Sequence, residues 1–191
     1  MIKTGIFGGS FNPIHRGHLA LASSLLKKAG LDEVWLMVTP QNPWKSQDNL
    51  LDDEQRLRLT RAAVEGIPGL VASDFEFHLP KPSYTWDTLQ ALAHDYPDRR
   101  FSLLLGGDNW AKFGQWYEHD KILAHHDIVV YPRKGSPIDR TSLPPNVRVV
   151  RMRLINISST EIRERIRQGL PFEDLVPPPV YQIIRSDNLY R

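Results

Sequence analysis

Cysteine is absent from the 191 residues, and so is any long apolar run. Without cysteine the chain cannot contain a disulfide framework, a thiolate zinc site or a cysteine nucleophile, and this composition fits a reducing compartment. Without an apolar run of roughly 20 residues it offers no transmembrane helix, and its first residues do not resemble a signal peptide. We therefore expect a cytoplasmic protein with no membrane partner.

An excess of charge of one sign is also missing, since the formal net charge is only +2. A molecule with so little charge is not a typical polyanion binder, and we expect no nucleic-acid partner. Basic residues nevertheless predominate between positions 133 and 167, with nine against three acidic ones. They are either solvent-exposed charges, the usual case, or groups that face phosphate. The basic residues are Arg133, Lys134, Arg140, Arg148, Arg151, Arg153, Arg163, Arg165 and Arg167.

Strand-like and helix-like segments alternate along the chain. The patterns predict strands over 2–7, 33–38, 70–77, 101–105, 127–131 and 147–154, and helices over 17–29, 52–65 and 83–96. Proline-rich loops are predicted over 40–44, 132–145 and 177–179. Strands separated by single helices indicate an α/β fold with a doubly wound parallel sheet, Rossmann-like, and the length suits one domain over 1–191. Ligands of such sheets bind beyond the carboxyl ends of the strands, where the strand order reverses.

The first polar cluster follows the first predicted strand and runs from Gly8 to His18, GGSFNPIHRGH. Backbone amides approach a polyphosphate closely where no side chain intervenes, and the following helix N-terminus attracts anions. We therefore expect Gly8, Gly9 and Ser10 to bind phosphate. The segment matches neither the dinucleotide fingerprint nor the P-loop. His15 and His18 are three residues apart and could donate to neighbouring phosphate oxygens, or could be helix caps or packed side chains.

A second polar cluster, ISSTEIR over positions 157–163, follows the last predicted strand. Hydroxyls of Ser158, Ser159 and Thr160 and the guanidinium of Arg163 one turn later suit the phosphates of a nucleotide. Ser158 and Glu161 also have the spacing of a capping box, and both roles are compatible.

Together the two clusters resemble the H-x-G-H and I-S-S-T-x-I-R motifs of the nucleotidyltransferase superfamily related to class I aminoacyl-tRNA synthetases. Between them, three segments are similar to nicotinate mononucleotide adenylyltransferases: Pro43-Trp44-Lys45, the SYTWDTL run over 83–89, and Gly106-Gly107-Asp108-Asn109 with the later Trp116-Tyr117. This resemblance extends over nearly the whole chain. It implies a nucleotidyltransferase fold and transfer of the adenylyl group of ATP to nicotinate mononucleotide, which yields deamido-NAD and pyrophosphate.

The resemblance also implies roles for single residues at the acceptor. Trp116 would stack on the pyridine ring, and the backbone amides of Thr85 and Tyr117 would receive the ring carboxylate. Lys45 would contact phosphate, and we expect Arg133 to contact the acceptor as well. Trp116 could instead be a core residue. Trp44 and Trp86 are expected to flank this pocket.

At the other substrate, Asp108 would hold a ribose hydroxyl of ATP beside Gly106, with a helix N-cap as its alternative role. His15 and His18 would stabilise the α/β-bridge of ATP as charge develops, while Lys45 and Arg163 hold phosphates and Mg²⁺ bridges phosphate oxygens. The nucleophile is a phosphate that is already ionised at pH 7, so no general base is needed, and no metal site within the protein is expected.

Two alternatives remain open. One is an adenylyltransferase of the same superfamily that acts on nicotinamide mononucleotide or phosphopantetheine. The other is a nucleotide-binding regulator or RNA-binding protein that uses the basic stretch without turnover. The sequence leaves self-association into a homo-oligomer undecided.

Overall fold

The computed structural model describes residues 1–40, 50–152 and 155–191. Within these ranges the strands are β1 Ile2–Gly9, β2 Glu33–Val38, β3 Leu70–Ser73, β4 Arg99–Gly106, β5 Asp127–Tyr131 and β6 Val147–Val149. The α-helices are α1 Arg16–Lys28, α2 Asp53–Val64, α3 Thr85–Asp95, α4 Gly107–Trp110, α5 His119–His125, α6 Ser159–Arg167 and α7 Pro178–Ser186. Two short 3₁₀-helices lie at Phe75–His78 and Phe113–Gln115.

All six strands of the described residues form one sheet in the order β3-β2-β1-β4-β5-β6. Every strand pair is parallel. The order reverses between β1 and β4, and the crevice beyond the carboxyl ends of these two strands is where such a sheet binds ligands. The predicted doubly wound α/β fold is confirmed.

Alternate residues of the central strands supply the two faces of the sheet, because side chains of a strand point to opposite sides. Phe7, Leu36 and Leu104 belong to the core beneath α1, α2, α6 and α7. Their neighbours Ile6 and Trp35 belong to the core beneath α3 and α5. Helices therefore cover both faces, which explains the nearly continuous apolar runs of these strands.

Two predicted strands are shorter than expected. Strand β3 ends at Ser73, whose hydroxyl accepts from the Phe75 N–H at 3.3 Å and turns the chain into the 3₁₀-helix. Strand β6 ends at Val149, and residues 150–152 are not in a strand. In both segments the apolar alternation continues past the last ladder hydrogen bond, so the pattern alone could not locate the end.

The proline cluster at 177–179, predicted as a loop, instead begins a helix. Pro177 is the N-cap of α7, and Pro178 and Pro179 occupy its first turn. Proline suits these positions because the N–H groups of a first helical turn have no partner within the helix.

No helix found in the described ranges has the length and apolar character needed to cross a bilayer.

Gly5 in β1 allows close packing at the centre of the sheet. A Cβ at Gly5 would lie 2.6 Å from Leu31 Cδ1 and 2.9 Å from Leu104 Cδ1. Because that contact overpacks the core, we expect Gly5→Ala to lower the free energy of unfolding by about 1–3 kcal/mol in urea denaturation. Gly114→Ala is the matched control, since a Cβ there meets nothing within 4 Å. Equal stability of the two variants would contradict this packing.

Candidate active site

A cleft runs across the carboxyl ends of β1 and β4. It consists of three adjoining cavities: Tyr131 lines all three, and Gly8, Gly9 and Asn109 line two of them. One cavity of about 330 Å³ lies against α3 and the Trp116 segment. A second, of about 430 Å³, lies between the β1–α1 loop and the start of α6. The third contains His15, Arg133 and part of α1. Residues from both predicted motifs therefore line one continuous cleft.

The β1–α1 loop contains two glycines with different surroundings. Gly8 is exposed, and a Cβ there would meet only Thr39 Cγ2, at 3.8 Å. A Cβ at Gly9 would instead lie 3.0 Å from the buried ring of Phe11, whose backbone φ is +45°. Gly8 thus leaves space for a ligand at the backbone, whereas Gly9 is needed for packing. Ser10 lines the same cavity.

His15 and His18 form a reciprocal cap at the start of α1. His15 is the N-cap, and its Nδ1 accepts from the His18 N–H at 3.3 Å. His18 Nδ1 accepts in return from the His15 N–H at 3.2 Å. The rings stack with centroids 3.6 Å apart. Capping, the alternative considered from sequence, is therefore one role of this pair.

The same hydrogen bonds determine what the two rings can offer a ligand. Because each Nδ1 accepts a backbone N–H, a neutral ring carries its proton on Nε2. Burial, with a smaller contribution from Arg133, lowers the pKa of His15 to about 4. His15 is therefore neutral at pH 7, and its Nε2–H is a donor. Both histidines line the cavity between the β1–α1 loop and α6.

The start of α6 is bound directly to the β1–α1 loop. Ser158 is the N-cap and accepts from the Glu161 N–H at 3.1 Å, which is one half of the predicted capping box. The Glu161 carboxylate does not return this bond and accepts from Arg165 Nε at 3.1 Å. Ser159 Oγ donates to the Pro13 carbonyl at 2.9 Å, and Arg163 Nη1 donates to the Asn12 carbonyl at 2.7 Å. Thr160 lines the cavity beside them. The two motifs, about 150 residues apart in sequence, thus form one site.

Arg163 retains unused donor capacity in this position. Its Nη2 donates to Thr160 Oγ1 at 3.3 Å, while its buried Nε has no hydrogen-bond partner among the described residues. A guanidinium is the side chain best suited to several phosphate oxygens at once.

Asp108 and Arg133 face each other on the opposite wall, with Arg133 Nε 3.6 Å from Asp108 Oδ1. A Cβ at Gly106 would lie 2.5 Å from Asp108 Oδ1 and 3.0 Å from Arg133 Cγ, so a larger residue there would displace this pair. Asp108 is not an N-cap, because Gly106 occupies that position of α4. Arg133, predicted at the acceptor, lines the two cavities that contain His15 and His18 and not the cavity of Trp116.

The cavity against α3 contains the three residues predicted to bind the acceptor ring, Thr85, Trp116 and Tyr117. Trp116 is half-buried, and its ring lies 5.7 Å from that of Phe113. Thr85 is the first residue of α3, and neither its N–H nor that of Tyr117 donates to another residue of the described ranges. Rings of Tyr84 and Tyr117 lie 5.1 Å apart, which brings the two segments together. The cavity therefore combines aromatic surface with free amides.

Trp86 does not flank this cavity, contrary to expectation. Its ring lies 5.8 Å from that of His125 and under Lys121 Nζ, away from the cleft. Position 86 is one residue after Thr85 on α3, and the helical turn directs its side chain toward α5.

Lys45 and Trp44 lie outside the described residues. In the described part of the basic stretch, Arg165 pairs with Glu161 and Arg148 donates to the Ala29 carbonyl, whereas Arg133, Lys134 and Arg163 line the cleft.

Arg56 on α2 is a site-building residue that sequence reasoning missed. Its side chain is 0% exposed. Nη1 donates to the carbonyls of Ser10 at 2.7 Å and Thr39 at 2.9 Å, and Nε donates to that of Leu51 at 2.8 Å. Nη2 pairs with Asp53 at 2.5 Å. Arg56 thus joins the β1–α1 loop, the end of β2 and the start of α2.

Glu76 in the first 3₁₀-helix was also missed. It is 7% exposed and lines the cavity of Trp116. In the predicted strand over 70–77 it would have pointed away from Phe75 and Phe77. The 3₁₀-helix changes this direction.

Metal-binding side chains are sparse in this cleft. Within the three described ranges no group of three or more His, Cys, Asp or Glu side chains could hold a metal ion.

We predict that Arg56→Met lowers the free energy of unfolding by at least about 3 kcal/mol, because three partly buried carbonyls and the Asp53 carboxylate lose their donor. Urea denaturation measures this change. Arg58→Met on the same helix is the control: Arg58 pairs with Asp187 at the surface, so its loss costs no more than about 1 kcal/mol. A similar small cost for Arg56→Met would contradict the central role of the buried guanidinium.

Known proteins resemble this chain over its length. Residues 6–165 match the family described as cytidylyltransferase-like. A probable nicotinate-nucleotide adenylyltransferase of Bacteroides fragilis is 53% identical over 182 residues, which is 95% of this chain and 90% of the relative. A protein of the same description from Flavobacterium johnsoniae is 41% identical, with 100% of each chain covered.

Among solved structures, the nicotinic acid mononucleotide adenylyltransferase of Plasmodium falciparum complexed with NaAD has a TM-score of 0.82 at 22% identity. The alignment covers 100% of this chain and 98% of that one. At this identity the likeness concerns the fold. With the fold, the two motifs in one cleft and the identity to full-length relatives in agreement, the chain belongs to the nicotinate-nucleotide adenylyltransferase family of cytidylyltransferase-like proteins.

Proposed function

We propose that this protein transfers the adenylyl group of ATP to nicotinate mononucleotide and releases deamido-NAD and pyrophosphate, a step of NAD biosynthesis. One observation carries the proposal: the cavity of His15, His18 and Arg163 is continuous with the cavity of Thr85, Trp116 and Tyr117. The first offers donors to a polyphosphate, and the second offers an aromatic face with free amides. Relatives with 53% and 41% identity carry the corresponding name.

ATP occupies the half of the cleft between the β1–α1 loop and α6. The exposed backbone at Gly8 and the Nε2–H groups of the histidines contact the α- and β-phosphates. Arg163, with the hydroxyls of Ser158 and Thr160, binds the β- and γ-phosphates.

Asp108 accepts from a ribose hydroxyl of ATP, and Arg133 beside it adds positive charge. Lys45 is a further proposed phosphate ligand.

Nicotinate mononucleotide occupies the cavity against α3. Trp116 provides a flat apolar face for the pyridine ring. The N–H groups of Thr85 and Tyr117 donate to its carboxylate, and the amide of Thr85 belongs to a helix N-terminus, which favours a negative group. A carboxamide has donors of its own and fits two N–H groups less well.

The reaction is an in-line displacement. A phosphate oxygen of nicotinate mononucleotide attacks the α-phosphorus of ATP, a new P–O bond forms, and the bond from the α-phosphorus to the α/β-bridging oxygen breaks as pyrophosphate leaves. The attacking phosphate is already ionised, so no base is required, and no covalent enzyme intermediate forms. Positioning and preorganised donors lower the barrier, with the Nε2–H groups of His15 and His18 donating toward the oxygen on which charge accumulates.

Mg²⁺ would reach this site with ATP, and Asp108 is the carboxylate that the described lining of the phosphate half offers it. There the ion would neutralise phosphate charge. We propose the cytoplasm as the location, in keeping with the absence of cysteine.

Pyrophosphate release from ATP and Mg²⁺ tests the function, with nicotinate mononucleotide, nicotinamide mononucleotide and phosphopantetheine offered in parallel. We expect the fastest turnover with nicotinate mononucleotide. Faster turnover with another acceptor would contradict the assignment of the aromatic cavity. Salt-dependent RNA binding without any pyrophosphate release would favour the alternative of a nucleotide-binding regulator.

Two substitutions at His18 separate its capping role from its catalytic role. In His18→Asn the amide oxygen can replace Nδ1 as acceptor for the His15 N–H, but the Nε2 donor is lost. We expect kcat to fall by about 10²-fold or more with the unfolding midpoint nearly unchanged. His18→Gln restores a donor near the Nε2 position and should recover part of kcat. Equal kcat values for the two variants would show that the Nε2 donor plays no part.

Trp116→Ala should raise KM for nicotinate mononucleotide by roughly tenfold, because one aromatic contact contributes about 0.5–1.5 kcal/mol beyond its buried area. KM for ATP should change much less. Trp116→Phe, which keeps an aromatic face, is the control and should stay near the wild-type value. Equal increases of both KM values in Trp116→Ala would rule out the stacking role.

A further inference from the structure

Glu76 is a buried carboxyl group at the base of the acceptor cavity, which the reaction described above does not use. Its Oε1 accepts from Thr88 Oγ1 at 2.9 Å, and its Oε2 accepts from Ser83 Oγ at 3.5 Å. All three residues line the cavity that contains Trp116. The carboxyl group is thus bound by two hydroxyls and otherwise faces the space assigned to the acceptor.

No cation compensates this group in the described part of the chain, where no salt bridge reaches Glu76. The titratable side chains on the surrounding elements have other partners or face solvent. Asp74 pairs with Arg61, and Lys81 pairs with Asp53. His78, Asp87, Tyr84 and Tyr117 are exposed. Tyr131, which also lines this cavity, is buried, and burial raises its pKa to about 12, so it carries no charge near neutral pH.

Burial makes the carboxyl group of Glu76 a weaker acid. Desolvation raises the pKa of Glu76 to about 7, against the opposing effect of the hydrogen bonds from Thr88 and Ser83. An isolated buried carboxylate is costly, and a neutral carboxyl group avoids that cost. Both forms are therefore accessible near neutral pH.

Thr88 and Ser83, the two donors, lie on either side of Thr85, the first residue of α3. By holding both, Glu76 fixes the backbone turn from which the free N–H of Thr85 faces the cavity. Its second effect is electrostatic. An ionised Glu76 repels a second carboxylate in the same low-dielectric cavity, whereas the neutral form does not.

We propose that Glu76 is a specificity-determining residue, which holds the Thr85 turn in place and, through its own charge, sets the preference between a nicotinate and a nicotinamide acceptor. The inference rests on the proposed function and concerns the same site. Neutral Glu76 admits the ring carboxylate. Ionised Glu76 disfavours it and leaves the uncharged carboxamide nearly unaffected.

Equilibrium binding measured by calorimetry without ATP tests the proposal. Dissociation constants of nicotinate mononucleotide and nicotinamide mononucleotide are compared at pH 6 and pH 8.5. The two ligands share the same titrating phosphate, so the ratio of their constants cancels its contribution. We expect this ratio, nicotinate over nicotinamide, to rise by at least about fivefold between the two pH values, since like charges then share the cavity.

Variants assign the effect to Glu76. Glu76→Gln keeps an acceptor for Thr88 and should make the ratio independent of pH. Ser83→Ala removes a hydrogen bond that favours the charged form, so the midpoint of the change should move to higher pH. Glu65→Gln, an exposed residue at the end of α2, is the control and should behave as wild type.

A ratio that does not change with pH in the wild type, or that still rises in Glu76→Gln, would overturn the proposal. Pyrophosphate release measured on the same preparations separates this failure from failure of the proposed function. Turnover with a pH-independent binding ratio would overturn only the role of Glu76. Absence of turnover with either acceptor would overturn the function, and absence of binding by both would overturn the two together.

Discussion

The loop between β1 and α1 is held from two sides by side chains that donate to its carbonyl oxygens. Arg56 reaches Ser10 from α2, while Arg163 and Ser159 reach Asn12 and Pro13 from α6. Buried carbonyls need such donors, and these come from residues distant in sequence. The rest of the cleft depends on this anchoring, because the loop leads directly into the stacked histidines that cap α1.

Capping and substrate binding are two uses of the same geometry in this site. The hydrogen bonds that cap α1 occupy both Nδ1 atoms, so a neutral ring of either histidine carries its proton on Nε2. Likewise Ser158 caps α6. Arg163 donates to the Asn12 carbonyl of the β1–α1 loop, while its Nε has no hydrogen-bond partner among the described residues. A stable helix start therefore presents preorganised donors. On the acceptor side, Glu76 accepts from Ser83 and Thr88 and so holds the first turn of α3 in place.

Much of this arrangement could be predicted from sequence. Hydrophobic period predicts the strands at 33–38 and 127–131 and the parallel order with a central switch point. Motif spacing predicts that the two motifs converge. Arg133 was expected at the acceptor and instead faces Asp108, because only the tertiary fold determines which cavity the segment after β5 joins. Glu76 was missed because a 3₁₀-helix replaced the end of a strand. The burial of Arg56 could have been predicted from sequence, because Arg56 lies on the same helical face as Leu59, Thr60 and Ala63, which are all buried.

A crystal structure with nicotinate adenine dinucleotide bound is the most direct test of one continuous cleft with two functional halves. We expect the pyridine ring against Trp116, its carboxylate at the amides of Thr85 and Tyr117, and the adenylyl phosphate near His15 and His18. A dinucleotide bound in the reverse orientation, or outside this cleft, would contradict it.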